Sequence, residues 1–270
     1  MSNLPSLEHV PTLDDRRPDA GLWGRWAGAL LDLVFPPFCP VCQAHLDEGR
    51  RDPLCGGCWS AIERIRPPWC RVCGLPVAGF LGVASADPAA TDFLCSSCRR
   101  RAPGFDYARS AARYEDVVRE ALHAFKFRGR RALAAPLGDL LVETVQGRLP
   151  AGAPALLVPV PLHPRRERER GFNQASLLAR RLGRAWRVPV RDDVVVRAVA
   201  THSQTELDAR ARRVNVRDAF RLRRPEVIAG RHVVLVDDIL TTGATLSECA
   251  RCLRAGGAAT VGALTVARVI

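Results

Sequence analysis

The chain has 270 residues, 47% hydrophobic, 6% aromatic and 25% charged, with a formal net charge of +12. That length holds one α/β domain and a small module around a sizeable core, and no apolar stretch is long enough to span a bilayer. The positive charge is concentrated: residues 101–232 carry 27 basic and 14 acidic groups while residues 233–270 balance at 3 and 3, which fits an anionic partner such as nucleic acid or a polyphosphate.

Residues 1–20 are polar and acidic and lack the basic segment and apolar run of a signal peptide. A disordered tail on a cytoplasmic chain is expected. Over 21–38, Leu22, Trp26, Ala29, Leu30 and Leu33 recur at helical spacing. That predicts a short amphipathic helix stopped by Pro36-Pro37.

Residues 39–104 hold four CxxC pairs: Cys39/Cys42, Cys55/Cys58, Cys70/Cys73 and Cys95/Cys98. A cytoplasmic chain seldom keeps disulfides. Two CxxC knuckles on one ion instead make a closed tetrahedral zinc site of four thiolates, so a double zinc ribbon with two structural Zn2+ ions is expected. Consecutive pairing of the knuckles is the simplest arrangement, with cross-bracing as the alternative. The Ala-, Gly- and Pro-rich stretch between Cys73 and Cys95 reads as a loop. Cys249 and Cys252 repeat the spacing without a partner pair and read as buried small apolar groups.

Residues 105–270 change character. FDYARSAARY predicts one or two strands. Asp116 to Phe127 predicts an amphipathic helix with Val118, Leu122 and Phe125 on one face, and Ala132 to Gln146 a second helix. The first delivers Lys126, the only Lys beside 39 Arg. A compact ammonium on a flexible stem differs chemically from a planar fork, so this position is a candidate for a specific anion contact. Ala155 to Val160 predicts a buried strand broken by Pro159 and Pro161. An Arg-rich LHPRRERER segment follows, then Gly171-Phe172-Asn173-Gln174 and a helix to Trp186. Val194 to Val196 and Ala219 to Leu222 predict short strands. Thr201 to Asn215 predicts a mobile, partly helical loop, and Thr260 to Ala267 the last strand. Strand and helix alternate from 155 onward, which predicts a parallel sheet flanked by helices.

The densest chemical signal is Val233 to Thr245, VVLVDDILTTGAT. Val233 to Val236 is apolar without alternation, as in a strand covered on both faces. Asp237 and Asp238 follow at its carboxyl end, where open α/β sheets bind ligands. Thr241, Thr242, Gly243, Ala244 and Thr245 then turn into a helix. Backbone N–H groups and hydroxyls at such a turn make an anion site, and the carboxylates suit ribose hydroxyls, directly or through Mg2+.

This stretch closely resembles the 5-phosphoribosyl-1-pyrophosphate (PRPP) motif of type I phosphoribosyltransferases. In that family the acidic pair contacts ribose hydroxyls and the Thr/Gly loop holds the 5′-phosphate. From about Leu31 the ordered set of segments resembles the ComF family, a double zinc ribbon followed by a phosphoribosyltransferase-like domain. The segments are FPPFCPVC, CRVCG, LHAFKFRGR, VPVPLHPRRERERGFNQA, the spaced Arg197, Thr201, Gln204, Leu207, Arg213, Asn215, Ala219 and Phe220, and VVLVDDILTTGATL. The resemblance implies a type I phosphoribosyltransferase-like fold. It places Lys126, Arg165, Arg166, Arg168, Arg170, Asn173, Gln174 and Gln204 on the pyrophosphate or nucleic-acid side, with Asp237, Asp238 and Lys126 as the residues nearest the chemistry and Mg2+ accompanying PRPP. It implies a role in natural competence and the cytoplasmic handling of imported single-stranded DNA, beside a competence helicase or DNA-processing proteins. The alternatives are an active phosphoribosyltransferase of nucleotide or nucleoside metabolism and a zinc-ribbon adaptor without turnover. No segment names an acceptor base.

Overall fold

The structure, a computed structural model, describes residues 38–46, 52–77, 93–199, 216 and 218–270. The expected tail over 1–20, the expected helix over residues 21–37, residues 78–92 of the expected loop and the 201–215 segment with Gln204 lie outside them.

In the cysteine-rich part, the four Sγ atoms of Cys39, Cys42, Cys55 and Cys58 lie within 4.8 Å of one another, as do those of Cys70, Cys73, Cys95 and Cys98. Pairing is therefore consecutive, and the cross-braced alternative is excluded. Sγ separations of 3.8 Å (Cys39–Cys58), 3.5 Å (Cys42–Cys55) and 3.6 Å (Cys73–Cys95) approach the roughly 3.8 Å edge of a tetrahedron with about 2.3 Å Zn–S bonds. Both groups fit zinc ribbon sites. The short helices α1 (Gly56–Ser60) and α2 (Ser96–Arg100) start directly after Cys55 and Cys95, whose sulfurs accept from the N–H of Cys58 and Cys98 at 3.3 and 3.5 Å.

Beyond it come β1 (Tyr107–Arg113), α3 (Asp116–Phe127), α4 (Ala134–Val145), β2 (Leu156–Pro159), α5 (Pro164–Arg170) and α6 (Gln174–Trp186). These are followed by β3 (Val195–Arg197), β4 (Phe220–Leu222), α7 (Pro225–Ile228), β5 (His232–Leu240), α8 (Ala244–Ala255) and β6 (Thr260–Arg268). Four strands form one parallel sheet in the order β1-β6-β5-β2. The run Val233 to Val236 is fully buried, and its side chains alternate between two apolar layers. Val234 and Val236 pack with Leu122 and Phe125 of α3, Leu137 and Leu141 of α4 and Leu178 of α6. Val233 and Leu235 pack with Leu246, Cys249 and Leu253 of α8 and with Val195 and Phe220 of the short strands. Cys249 thus serves as the expected small apolar group. Among the described residues no helix is long and apolar enough to cross a membrane.

Two segments depart from expectation, and a third, left unassigned from the sequence, is helical. The strands β3 and β4 leave the parallel sheet and pair with each other, antiparallel. The outer edge of β2 is already taken, because Leu157 donates to Pro189 and accepts from Arg191 at 2.9 and 3.0 Å. Pro164 to Arg170 is helical although it has no apolar period. Its ends define it: Pro164 in the first turn, a His163 side chain accepting from the Arg165 N–H at 3.3 Å, and Gly171 at φ 76° as the left-handed stop. Finally, β5 runs four residues past Val236 and carries the acidic pair within it rather than after it.

The zinc module covers the free edge of the sheet. Ala108 donates to Val72 at 2.6 Å, Arg113 to Glu63 at 3.0 Å, and Ala111 accepts from Ile65 at 2.8 Å. An open edge strand is a template for unwanted pairing, and the ribbons close this one. Cys39, Leu46, Leu54 and Cys58 join one apolar layer, while Val72 and Cys73 pack against the other. The module therefore straddles β1.

Candidate functional site

The cleft forms where β2 stops. Pro159 pairs with Val236, Val160 still donates to the Val236 carbonyl at 2.9 Å, and Pro161 has no N–H with which to continue. From Asp237 onward β5 pairs with β6 alone. The space left beside it is a cleft of about 960 Å³ at the carboxyl ends of the strands, the usual ligand position in open α/β sheets.

Its floor is the acidic pair. Asp238 is 8% exposed, and its Oδ2 lies 2.8 Å from Lys126 Nζ. Asp237 accepts the Asp238 N–H through Oδ1 at 2.9 Å. Burial and the adjacent Asp238 push the Asp237 carboxyl up to about 7, against the pull of Lys126. Lys126 reaches this point because α3 presents Leu122 and Phe125 to the core and ends in the cleft wall.

One end is the turn into α8. Thr241, Gly243, Ala244 and Thr245 line the cleft. Gly243 sits at φ 72°, a left-handed conformation that a side chain would strain. The Thr242 hydroxyl accepts from the Ala244 N–H at 3.4 Å within the turn and does not line the cleft. The first-turn N–H groups of α8 are oriented for an anion.

The opposite wall comes from α5 and the start of α6. Arg166 and Arg170 line the cleft. Arg165 instead pairs with Glu169 one turn on at 2.8 Å, and Arg168 is absent from the lining. Burial lowers the Arg170 guanidinium from its ordinary value, opposed by Asp238 and Asp237. Asn173 lines the cleft, but its amide is committed: Nδ2 donates to Val160 O at 3.1 Å and Oδ1 accepts from Ala175 N at 3.0 Å. Gln174 is 2% exposed, and its Nε2 has no hydrogen-bond partner. A buried donor left this way on a cleft wall marks a place for a ligand acceptor.

The cleft lining also includes Arg197, named in the sequence for the resemblance alone, and His123 and Phe127, which were given no role there. Arg197 is 7% exposed, and burial lowers its guanidinium, as does Arg166 nearby. Phe127 adjoins the single Lys in the KF segment, which was the available signal. Lys126, Arg166, Arg170 and Arg197 face Asp237, Asp238 and Glu169 across the cleft. The balance favours an anion carrying hydroxyl groups.

The KF and GFNQ segments also hold each other. Phe125 and Phe172 rings lie 5.6 Å apart, the Arg131 guanidinium covers Phe172 at 4.8 Å, and Arg131 donates to the Gly171 carbonyl at 2.6 Å.

Comparison with known proteins agrees with both halves. Residues 30–99 match the double zinc ribbon domain, and residues 168–269 match the phosphoribosyl transferase domain. The chain is 34% identical over 232 residues to the DNA utilization protein YhgH of Escherichia coli K12, covering 85% of this chain and 96% of that protein. It is 30% identical over 220 residues to competence protein F of Haemophilus influenzae, covering 80% and 90%. Competence protein ComFC of Bacillus subtilis is 29% identical over 218 residues, covering 80% and 85%.

Proposed function

The chain belongs to the family of competence protein F, ComFC and YhgH, and on that premise we propose that its cleft binds PRPP or a related phosphoribosyl compound in a protein that handles single-stranded DNA. The observation that carries this reading is the convergence of Asp237, Asp238, the α8 turn, Lys126 and Arg170 on one cleft. In this reading the N–H groups at the start of α8, with Thr241 and Thr245, take the 5′-phosphate. Asp237 and Asp238 take the ribose hydroxyls. Lys126, Arg166 and Arg170 face the pyrophosphate, and Gln174 Nε2 donates to one of its oxygens. The carboxylate oxygens suit a hard, partly hydrated Mg2+, which would neutralise pyrophosphate charge when bound.

Lys126 Nζ already contacts Asp238, and its remaining N–H donors are available to a pyrophosphate oxygen. If the site turns over, the same groups stabilise departing pyrophosphate by electrostatics rather than by a covalent intermediate. The basic surplus of residues 101–232 supports an anionic strand as the second ligand, and the name of one relative, the DNA utilization protein YhgH, points to DNA.

The test is calorimetric titration of PRPP with Mg2+, and of a single-stranded oligonucleotide, into one preparation. We expect PRPP binding that Asp237→Asn abolishes while both zinc sites stay filled, and strand binding that weakens steeply with salt. PRPP affinity unchanged by Asp237→Asn would sink the site assignment. A salt-independent strand affinity would sink the DNA reading. Pyrophosphate release with a panel of bases would favour the active transferase.

A further inference from the structure

Phe127 is 64% exposed, the most exposed large hydrophobic side chain among the described residues. Its position follows from the helix that carries it. The core face of α3 is Val118, Ala121, Leu122 and Phe125, and two residues beyond Phe125 the side chain emerges on the other side. Nothing in the packing of α3 requires an aromatic there. Yet the ring stands at the rim of the cleft, next in sequence to Lys126. The His123 ring lies 4.9 Å away and the Arg170 guanidinium 5.3 Å from its centroid. Three planar groups are thus gathered beside the phosphate-facing cations. The other exposed phenylalanine among the described residues, Phe38, sits on the zinc module against His45 at 5.7 Å.

Bases stack on aromatic faces and on guanidinium planes whatever their sequence. We propose that Phe127, with His123 and Arg170, forms a stacking ledge for the base of a nucleotide whose phosphate and ribose occupy the cleft. This rests on the phosphoribosyl reading of the cleft and adds the base to it. The cleft volume of about 960 Å³ lies at the upper end of the range for small-ligand pockets, roughly 300–1,000 Å³, so a base beside a phosphoribosyl group is accommodated. Arg170 then serves two ends, its plane against Phe127 and its charge toward Asp237 and Asp238. The nucleotide could arrive free or as one unit of a single strand; both present a base, a pentose and a phosphate, and the free nucleotide alone also offers sugar hydroxyls to Asp237 and Asp238.

The experiment compares ligands that differ only in the base, using the full chain with zinc bound. One pair is deoxyadenosine 5′-monophosphate against 2-deoxyribose 5-phosphate. The other is a single-stranded oligodeoxynucleotide against its abasic counterpart. The wild type should prefer the base-bearing member. Phe127→Ala should lower that member's affinity by about tenfold and leave the base-free member within about twofold. Phe127→Trp should keep the preference, and Phe127→Leu, apolar but not planar, should lose it. The exposed position makes all three variants compatible with folding. A loss confined to the mononucleotide pair assigns the ledge to free nucleotides, and a loss confined to the oligonucleotide pair assigns it to strands. Equal loss for both members of a pair, no loss at all, or full retention in Phe127→Leu would overturn the ledge. The phosphoribosyl reading fails separately, if 2-deoxyribose 5-phosphate and PRPP both fail to bind the wild type.

Discussion

Lys126 Nζ and Asp238 Oδ2 lie 2.8 Å apart, with the two side chains 17% and 11% exposed. The single Lys of the chain is therefore spent on the acidic pair when no ligand is present. Breaking such a pair leaves a buried carboxylate beside another one, at a cost of roughly 3–5 kcal/mol. Lys126→Met should lower unfolding stability in urea by that order. Adding Asp238→Asn should recover part of it, because the uncompensated charge is gone. A double variant whose loss equals the sum of the single losses would show that the two groups do not interact.

The raised Asp237 carboxyl makes stability depend on pH in an unusual direction. Its folded value of about 7 exceeds the ordinary carboxylate value of about 3.9. Between those values the folded state holds the proton and the unfolded state has released it, so stability falls as pH rises. The contribution is complete below about pH 4 and is lost as pH passes through about 7. Thermal unfolding from pH 4.5 to 7.5 in chelator-free, magnesium-free buffer should show this fall, superimposed on the other titrations. Asp237→Asn should remove that component. A wild-type profile and a variant profile with the same slope would contradict the assignment.

Zinc removal should be felt beyond the ribbons. The Ala108 and Arg113 amides of β1 donate to Val72 and Glu63, so both lose their acceptors if the ribbon unfolds. Arg268, at the end of β6, also donates to the Cys73 carbonyl at 2.5 Å. Cys70→Ser should speed hydrogen exchange at Ala108, Cys42→Ser chiefly at Arg113, and both should promote aggregation through the bared edge. Exchange at Val234 and Leu235, in the sheet centre, should change only with global stability. Protection at Ala108 and Arg113 that survives metal loss would mean the ribbon edge is held without zinc.

The parts legible from residue pattern were those with one strong signal. The apolar periods of α3, α6 and α8 gave boundaries within a residue or two, the unbroken run of β5 located that strand but stopped four residues short of its end, and CxxC spacing led to both metal groups. The helix α5 escaped because PRRERER has no apolar period and is set by its caps. The departure of β3 and β4 from the sheet escaped because strand propensity does not say which edge is free. The cleft was half legible. Asp237 and the α8 turn declared themselves, while the Lys126–Asp238 pair spans 112 residues of sequence. The sorting of Arg165 and Arg168 away from Arg166 and Arg170 is a matter of helix phase that an all-charged segment does not reveal.

Gln174 offers the sharpest separation between stability and function. Its Nε2 is buried without a hydrogen-bond partner, and a donor in that condition costs the ligand-free protein about 1–3 kcal/mol. Met has nearly the same length and shape and no donor. Gln174→Met should therefore raise the unfolding midpoint of the free protein, an uncommon direction for a change at a buried polar position. The same change should weaken PRPP by about tenfold, since a charge-assisted hydrogen bond to a phosphate oxygen is lost. The two effects have opposite signs and one cause, the donor held ready on the cleft wall. Denaturant unfolding without ligand and calorimetry with PRPP measure them independently. A variant that loses stability and keeps PRPP affinity would show that Gln174 belongs to the packing of α6 and not to the ligand.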